Sequence, residues 1–328
     1  MKNTRIVQLD LIKFLACIMI VILHGIGVGH ALRELIYLSG AYGIPLFFLT
    51  NGYLRFNQSF TFTFVKNISL RYIRFIFIWS IIIFLIKKED YPALIKGAVF
   101  SNGSLFHLWF LTGLVVIYTV LALVRYIAGE ENLQFYVQRT EVLAVCLIAM
   151  TLSFIFNIYL SGKGIEIRDY ISAPFRIITN GSYFLAGMYI RHREQDFRDK
   201  PIPGYFIVIA ALISTIFIYA LATSLNMRYA SSYYSFVPVF ITTAIIFISI
   251  RDQKTDYKRN IQACLRTSTG IWILHPLIIE QIRKILCLLN IEDNLLISII
   301  CTVAAILLCV MITLIFQRVK ILRKLVQV

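Results

Sequence analysis

The chain has 328 residues, of which 59% are hydrophobic and only 15% charged. That composition excludes an ordinary soluble globular domain and points to a polytopic membrane protein. The formal net charge of +15 raises the question of a nucleic-acid partner, but the placement of the charges answers it otherwise.

The first element, Gln8 to Gly29, reads QLDLIKFLACIMIVILHGIGVG. It is long and apolar enough to cross a bilayer as a helix. It nevertheless carries Asp10, Lys13 and His24. Lys13 and His24 are eleven positions apart, so they fall ~20° apart around a helix and ~16 Å apart along it. Asp10 lies within ~60° of both. Ionisable residues in membrane segments are costly and face a bundle interior or a wet cavity. This stripe is therefore the first candidate wall of a functional site. Gly25, Gly27 and Gly29 follow His24 and permit close backbone approach or a helix end. Lys2 and Arg5 precede the apolar run as they would in a signal peptide. Asp10 and Lys13 break the run and no small-x-small cleavage site follows, so the segment reads as retained.

Ten spans are expected, at about 7–29, 36–56, 70–87, 105–125, 141–160, 172–190, 204–224, 233–250, 267–287 and 294–316. The expected fold is all-α, a single transmembrane domain over 1–328 with both termini cytoplasmic. With the N-terminus inside, 21 of the 32 Lys and Arg residues fall in cytoplasmic segments and nine in outer ones. Lys13 and Arg176 fall within spans. That bias is the positive-inside signal, and it accounts for most of the net charge without a nucleic-acid partner.

Span two, GAYGIPLFFLTNGYL, is an irregular helix with Asn51 and Tyr53 as polar groups inside it. A plain packing helix with small interface residues is the competing reading. Between spans two and three, SFTFTF alternates like a strand, but no open strand survives in lipid, so it reads as interfacial or loop. Arg71 and Arg74 are expected to open span three at the cytoplasmic surface. Residues three apart share a helix face, so the two guanidiniums can converge on one anion. They can equally serve as topology signals alone. A short interfacial helix is expected around Pro92 to Phe100. Phe106-His107-Leu108-Trp109-Phe110 opens span four, where Trp109 fits the aromatic belt and His107 shares the outer half with His24. Arg176, near the outer end of span six, snorkels to the surface or faces inward as an anion-stabilising donor. TSTGIWILHP places His275 in span nine, nearer the cytoplasmic half, with Pro276 loosening the helix beside it. Glu280 and Lys284 are spaced as a helical ion pair. His30 and His192 read as surface residues. Of six cysteines, five (17, 146, 287, 301 and 309) sit in apolar runs and read as small buried hydrophobes. No CxxC spacing occurs, and neither a disulfide framework nor a metal site is expected. The phosphate loop, HExxH and GxSxG signatures do not occur in the sequence.

LDLIKFLACIMIVILH, GIPLFFLTNGYL, RYIR, HLWFL and STGIWILHP, in this order from about Leu9 to Pro276, resemble the membrane acyltransferase 3 family. These are bacterial inner-membrane O-acyltransferases of surface polysaccharides, and the likeness is strongest to their smaller single-domain members. The resemblance implies acetyl-CoA as a cytoplasmic co-substrate and no permanently bound cofactor. It implies a glycan or lipid-linked sugar as acceptor, in contact with membrane lipids. The family's basic-x10-His pattern falls on Lys13 and His24, and its RxxR pair on Arg71 and Arg74. Its HLWF element falls on His107 and Trp109, and its late GIYLLH element on Gly270 and His275. Two departures stand out: Lys13 where the family usually has Arg, and Asn51-Gly52-Tyr53 where it usually has Ser-Gly-Tyr.

The resulting expectation is an integral membrane O-acetyltransferase. His24, with Lys13 and Asp10, is the catalytic group, as base or as acyl carrier. Arg71 and Arg74 hold the CoA phosphates. His107, Trp109, Arg176, Asn51, Tyr53 and His275 are acceptor or oxyanion candidates. A transporter or flippase for a glycolipid precursor would use the same polar stripe as a substrate path, and an inactive assembly anchor would tolerate alanine throughout it.

Overall fold

The computed structural model describes residues 7–129, 136–199, 202–227, 229–252 and 257–326. Five of the basic residues that carry the topology argument, Lys2, Arg5, Lys200, Arg228 and Lys254, lie outside them. The described residues are helical, with no strand among them. In chain order the longer helices are α1 (Val7–Gly25), α2 (Ala31–Ser39), α3 (Gly43–Arg55), α4 (Phe62–Lys87), α5 (Tyr91–Phe100), α6 (Trp109–Ala128), α7 (Glu141–Gly162), α8 (Ile177–His192), α9 (Gly204–Leu225), α10 (Val237–Arg251), α11 (Arg259–Leu265), α12 (Ser268–Leu288) and α13 (Leu295–Arg318).

Each expected span meets a helix. Among the described residues seven helical stretches are long and apolar enough to cross a membrane: α1, Ala31–Arg55, α4, Tyr91–Ala128, α7, α9 and α13. The remainder depart from that standard for visible reasons. Helices α8 and α10 have 16 and 15 residues, short of the ~20 a straight crossing needs. The second half of α12 carries Glu280, Arg283 and Lys284. The protein is an all-α, multi-pass membrane protein.

The chain divides into two units. The first comprises Met1–Thr50, Gln195–Tyr234 and Pro238–Gln327, the second Asn51–Glu194 and Ser235–Val237. In the first unit, α1 buries Ile12, Ala16, Cys17, Ile20 and Val21. Close approach is allowed by glycines. A Cβ at Gly43 would lie 2.8 Å from the Ala16 carbonyl, and one at Gly40 2.5 Å from that of Met19. Helix α13 presents Ser298, Thr302, Ala305, Cys309 and Thr313 as its buried stripe. Its opposite face, with Leu296, Ile300, Val303, Leu307, Met311 and Ile315, is exposed. Without a hydrophobic drive between helices in lipid, small residues mark the packed face and large ones the lipid face. The Thr302 and Thr313 hydroxyls donate to the carbonyls of Ser298 and Cys309 within their own helix, at 2.7 and 2.6 Å. Neither of these two hydroxyls is thereby left unsatisfied in an apolar setting.

In the second unit, Phe60, Phe64, Tyr118 and Phe184 form an aromatic cluster with centroids 5.4 to 6.2 Å apart. Helix α7 buries Cys146, Met150, Phe154, Asn157 and Leu160 at three- and four-residue spacing. Asn157 donates to the Ser235 hydroxyl at 3.0 Å.

Three sequence expectations need correction. The SFTFTF stretch is not loop throughout: α4 starts at Phe62, because the Thr61 hydroxyl accepts from the Phe64 amide at 3.0 Å and caps the helix. Arg71 therefore does not open its helix; it lies nine residues, ~14 Å, into it. The cysteines also divide differently. Cys17, Cys146 and Cys309 are buried, but Cys301 is half-buried and Cys287 exposed, since the last turns of α12 from Arg283 to Leu288 lie largely open. The short helix at Pro92 is present as α5, capped by Asp90, which accepts from the Ala93 amide. Glu280 and Lys284 pair at 2.9 Å, and His30 and His192 are exposed.

Candidate active site

Helix α1 runs unbroken from Val7 to Gly25, so Asp10, Lys13 and His24 stand on one helix. Asp10 is buried, and Lys13 and His24 are half-buried. His24 occupies the last turn. Its ring stacks on that of His275, with centroids 5.2 Å apart and planes 28° apart. His275 therefore does not lie at a different depth from His24, as its position in span nine suggests. The reason is the register of α1 and α12. The Cys17 thiol donates to the Ser268 carbonyl at 2.9 Å. Seven residues later on both helices, His24 meets His275, so the two helices advance in step and run parallel.

His275 is fully buried. Its Nδ1 lies 3.0 Å from the Ile271 carbonyl, one turn back. A carbonyl only accepts, so Nδ1 carries the proton and Nε2 of the neutral ring is an acceptor. Pro276 does not break the helix here: α12 continues through it to Leu288. Gly270, one residue before Ile271, sits against α13, where a Cβ would lie 2.0 Å from the Thr313 hydroxyl oxygen.

The end of α1 is fixed by its neighbours. A Cβ at Gly25 would lie 2.2 Å from the Thr302 hydroxyl oxygen, so α1 and α13 touch backbone to side chain. Gly27 has φ +70°, the left-handed conformation that glycine adopts without steric cost. The Arg283 guanidinium donates to the carbonyls of His24 and Gly25 at 2.9 and 3.3 Å. Arg33 donates through Nε to the Ile26 carbonyl at 2.9 Å and through Nη2 to Asp293 at 2.7 Å and Ser298 at 2.9 Å. Burial by itself raises the Asp293 carboxyl, but the hydrogen bonds from Arg33 and Ser298 outweigh it and hold the group below the usual carboxylate range. Neither arginine is legible from the sequence as part of a site. Both read there as charges at the outer surface.

The other candidates lie in the second unit. Arg71 and Arg74 are exposed on the face of α4 that also shows Leu70, Ile73 and Phe77, while Tyr72, Phe75 and Ile76 are buried. His107 is buried in the 3-10 turn Gly103–Leu108 ahead of α6, edge-on to Phe106 at 5.6 Å. Trp109 is buried at the first residue of α6. Arg176 donates through Nε to the Ile171 carbonyl at 3.1 Å, and Asn180 to that of Ala173 at 3.0 Å. These two bonds fix the turn before α8. Tyr53 is buried and its phenol oxygen lies 2.9 Å from Arg191 Nη1; Arg191 also pairs with Glu194. Asn51 is half-buried.

What the first unit offers chemically is a pair of stacked imidazoles, on a backbone that glycines, threonines and a guanidinium hold in place. Such a pair can accept a proton and pass it on. Curated proteins and solved structures show no match to this sequence. The model of an acyltransferase domain, however, matches residues 6–314, nearly the whole chain. The chain belongs to the acyltransferase 3 family and is a membrane acyltransferase.

Proposed function

We propose that this acyltransferase is an O-acetyltransferase of the bacterial inner membrane. It takes acetyl from cytoplasmic acetyl-CoA and places it on a hydroxyl of a cell-surface polysaccharide or its lipid-linked precursor. The observation that carries the reading is the His24–His275 stack in a chain of this family. An acyl transfer to a sugar hydroxyl needs a base for the hydroxyl proton, and an imidazole is the side chain suited to it near neutral pH. His24 takes that proton. The alkoxide oxygen then attacks the thioester carbonyl carbon, the C–S bond breaks, and the proton passes to the departing CoA thiolate. The products are an acetate ester and free CoA. His24 can also act as the acyl carrier, in which case its nitrogen attacks first and the sugar hydroxyl second. His275 orients His24 by contact. Lys13 and Asp10 line the acyl path. His107, Trp109, Arg176, Asn51 and Tyr53 are kept as acceptor-side or oxyanion groups.

The test is purified protein given labelled acetyl-CoA and an extracted surface glycan. Label in the glycan, with release of free CoA, is the expected result. Movement of unmodified glycolipid across vesicles without consumption of acetyl-CoA would establish the transporter reading instead.

Arg71 and Arg74 are assigned to the CoA phosphates. Their exposure on α4 leaves both guanidiniums accessible to a large anionic donor. Replacing both with Ala is expected to raise KM for acetyl-CoA ~10- to 100-fold, since a charge-assisted hydrogen bond contributes about 1.5–3 kcal/mol. Replacing both with Lys recovers part of it, because charge persists and the planar fork is lost. An unchanged KM in the double Ala protein reduces the pair to topology signals.

A further inference from the structure

Helix α1 ends at Gly25, and the last four carbonyls of a helix look beyond it for their donors. The Ile22 carbonyl is met by the Ile26 amide at 2.9 Å. Those of His24 and Gly25 are met by Arg283 Nη2, from a helix that lies 258 or more residues away in sequence. Arg283 stands eight residues, about two turns, past His275 on α12. A helical side chain covers the turn N-terminal to its own Cα, so the long Arg283 side chain leans back toward His275 and the end of α1. Its charge also suits the spot: a helix C-terminus carries about half a negative charge, and a cation there is stabilising. Arg283 is exposed, while His275 is buried. The same helix thus supplies the ring that stacks on the His24 side chain and the guanidinium that holds the His24 backbone.

We propose that Arg283 is a positioning residue for His24: by bonding the His24 and Gly25 carbonyls it fixes the His24 ring in register with His275. The proposal rests on the assignment of His24 as the base or acyl carrier. A displacement of about 1 Å at a reacting group can cost 10²-fold in rate. The backbone bond from Arg283 sets the position of the reacting imidazole without touching substrate.

Acetyl transfer per inserted molecule tests this, with Arg283→Ala, Arg283→Lys, Arg283→Gln and His24→Gln assayed side by side. Arg283→Ala is expected to lower kcat ~10- to 100-fold and to leave KM for acetyl-CoA within about twofold. Arg283→Lys restores most of the kcat, because an ammonium still donates to one carbonyl and still carries the charge. Arg283→Gln, which keeps length and a donor without charge, falls between Ala and Lys, and it replaces Ala should Ala fail to insert. Lys284→Ala removes an equal charge from the next position, where the side chain pairs with Glu280, and is expected to be without effect. A kcat within about twofold of wild type in Arg283→Ala or Arg283→Gln overturns the proposal, and so does a loss confined to KM. If His24→Gln is itself fully active, it is the assignment of His24 that has failed, not the contact from Arg283.

Discussion

His24→Gln is expected to lower acetyl transfer by ~10²–10⁴-fold per inserted molecule, the range general base catalysis supplies. Gln keeps a hydrogen-bonding group of similar reach but cannot take a proton near neutral pH or carry an acyl group. His24→Ala should be equally inactive. The amount of inserted protein should be near normal in both, because His24 is one residue from the end of α1 and the carbonyls that Arg283 holds are backbone, present in every variant. A histidine that merely packs would give the opposite order: Gln near wild type, and Ala losing folded protein rather than specific activity. Retention of more than about a tenth of the rate in His24→Gln falls short of the ~10²-fold loss a missing base implies, and it would move the catalytic assignment elsewhere.

The second large effect concerns folding rather than chemistry. In the second unit, a Cβ added at Gly52 would lie 1.9 Å from the Phe184 carbonyl oxygen, 2.7 Å from its carbon and 3.0 Å from its Cα. All three are backbone atoms of α8, so no rotamer change relieves the clash. Overpacking typically costs about 1–3 kcal/mol and more where nothing can yield. Gly52→Ala is therefore expected to lose most detergent-extractable, monodisperse protein. Gly25→Ala makes a useful contrast. There the obstacle is the Thr302 side chain, with Oγ1 at 2.2 Å, Cβ at 3.0 Å and Cγ2 at 3.1 Å. Adding Thr302→Ala removes two of those three atoms and should restore the yield. No single substitution on α8 can restore Gly52→Ala in that way. Normal yield of Gly52→Ala would contradict the close approach of the Gly52 and Phe184 backbones.

Much of the fold was legible because lipid makes hydrophobic run length a strong signal: each expected span meets a helix. What was not legible was set by local capping and tertiary register. The alternation of SFTFTF hid a helix start, since the Thr61 cap decides the boundary and the periodicity around it does not. His24 could be singled out from its own segment, because an ionisable group in an apolar run stands out against its background. Its partnership with His275 could not. It depends on α1 and α12 advancing in step through Cys17 and Ser268, 251 residues apart, and no local pattern encodes that. Arg283 was hidden for a different reason. A basic residue at the end of a span is normally read as a topology signal, and only its bonds to the His24 and Gly25 carbonyls at the end of α1 show what it holds. The same argument applies to Arg33, whose partners Asp293 and Ser298 lie 260 and 265 residues away.

The central claim is that His24 and His275 act as one catalytic unit, and a double-mutant cycle tests it most directly. The measurement is kcat for acetyl transfer, per inserted molecule, in His24→Gln, His275→Gln and the protein carrying both. Groups that act as a unit are strongly non-additive. The account predicts that His275→Gln alone lowers kcat and that the double variant is no slower than His24→Gln, because once the base is gone its partner has nothing left to orient. A double variant slowed by the product of the two single losses, or a His275→Gln protein with full activity, would contradict it.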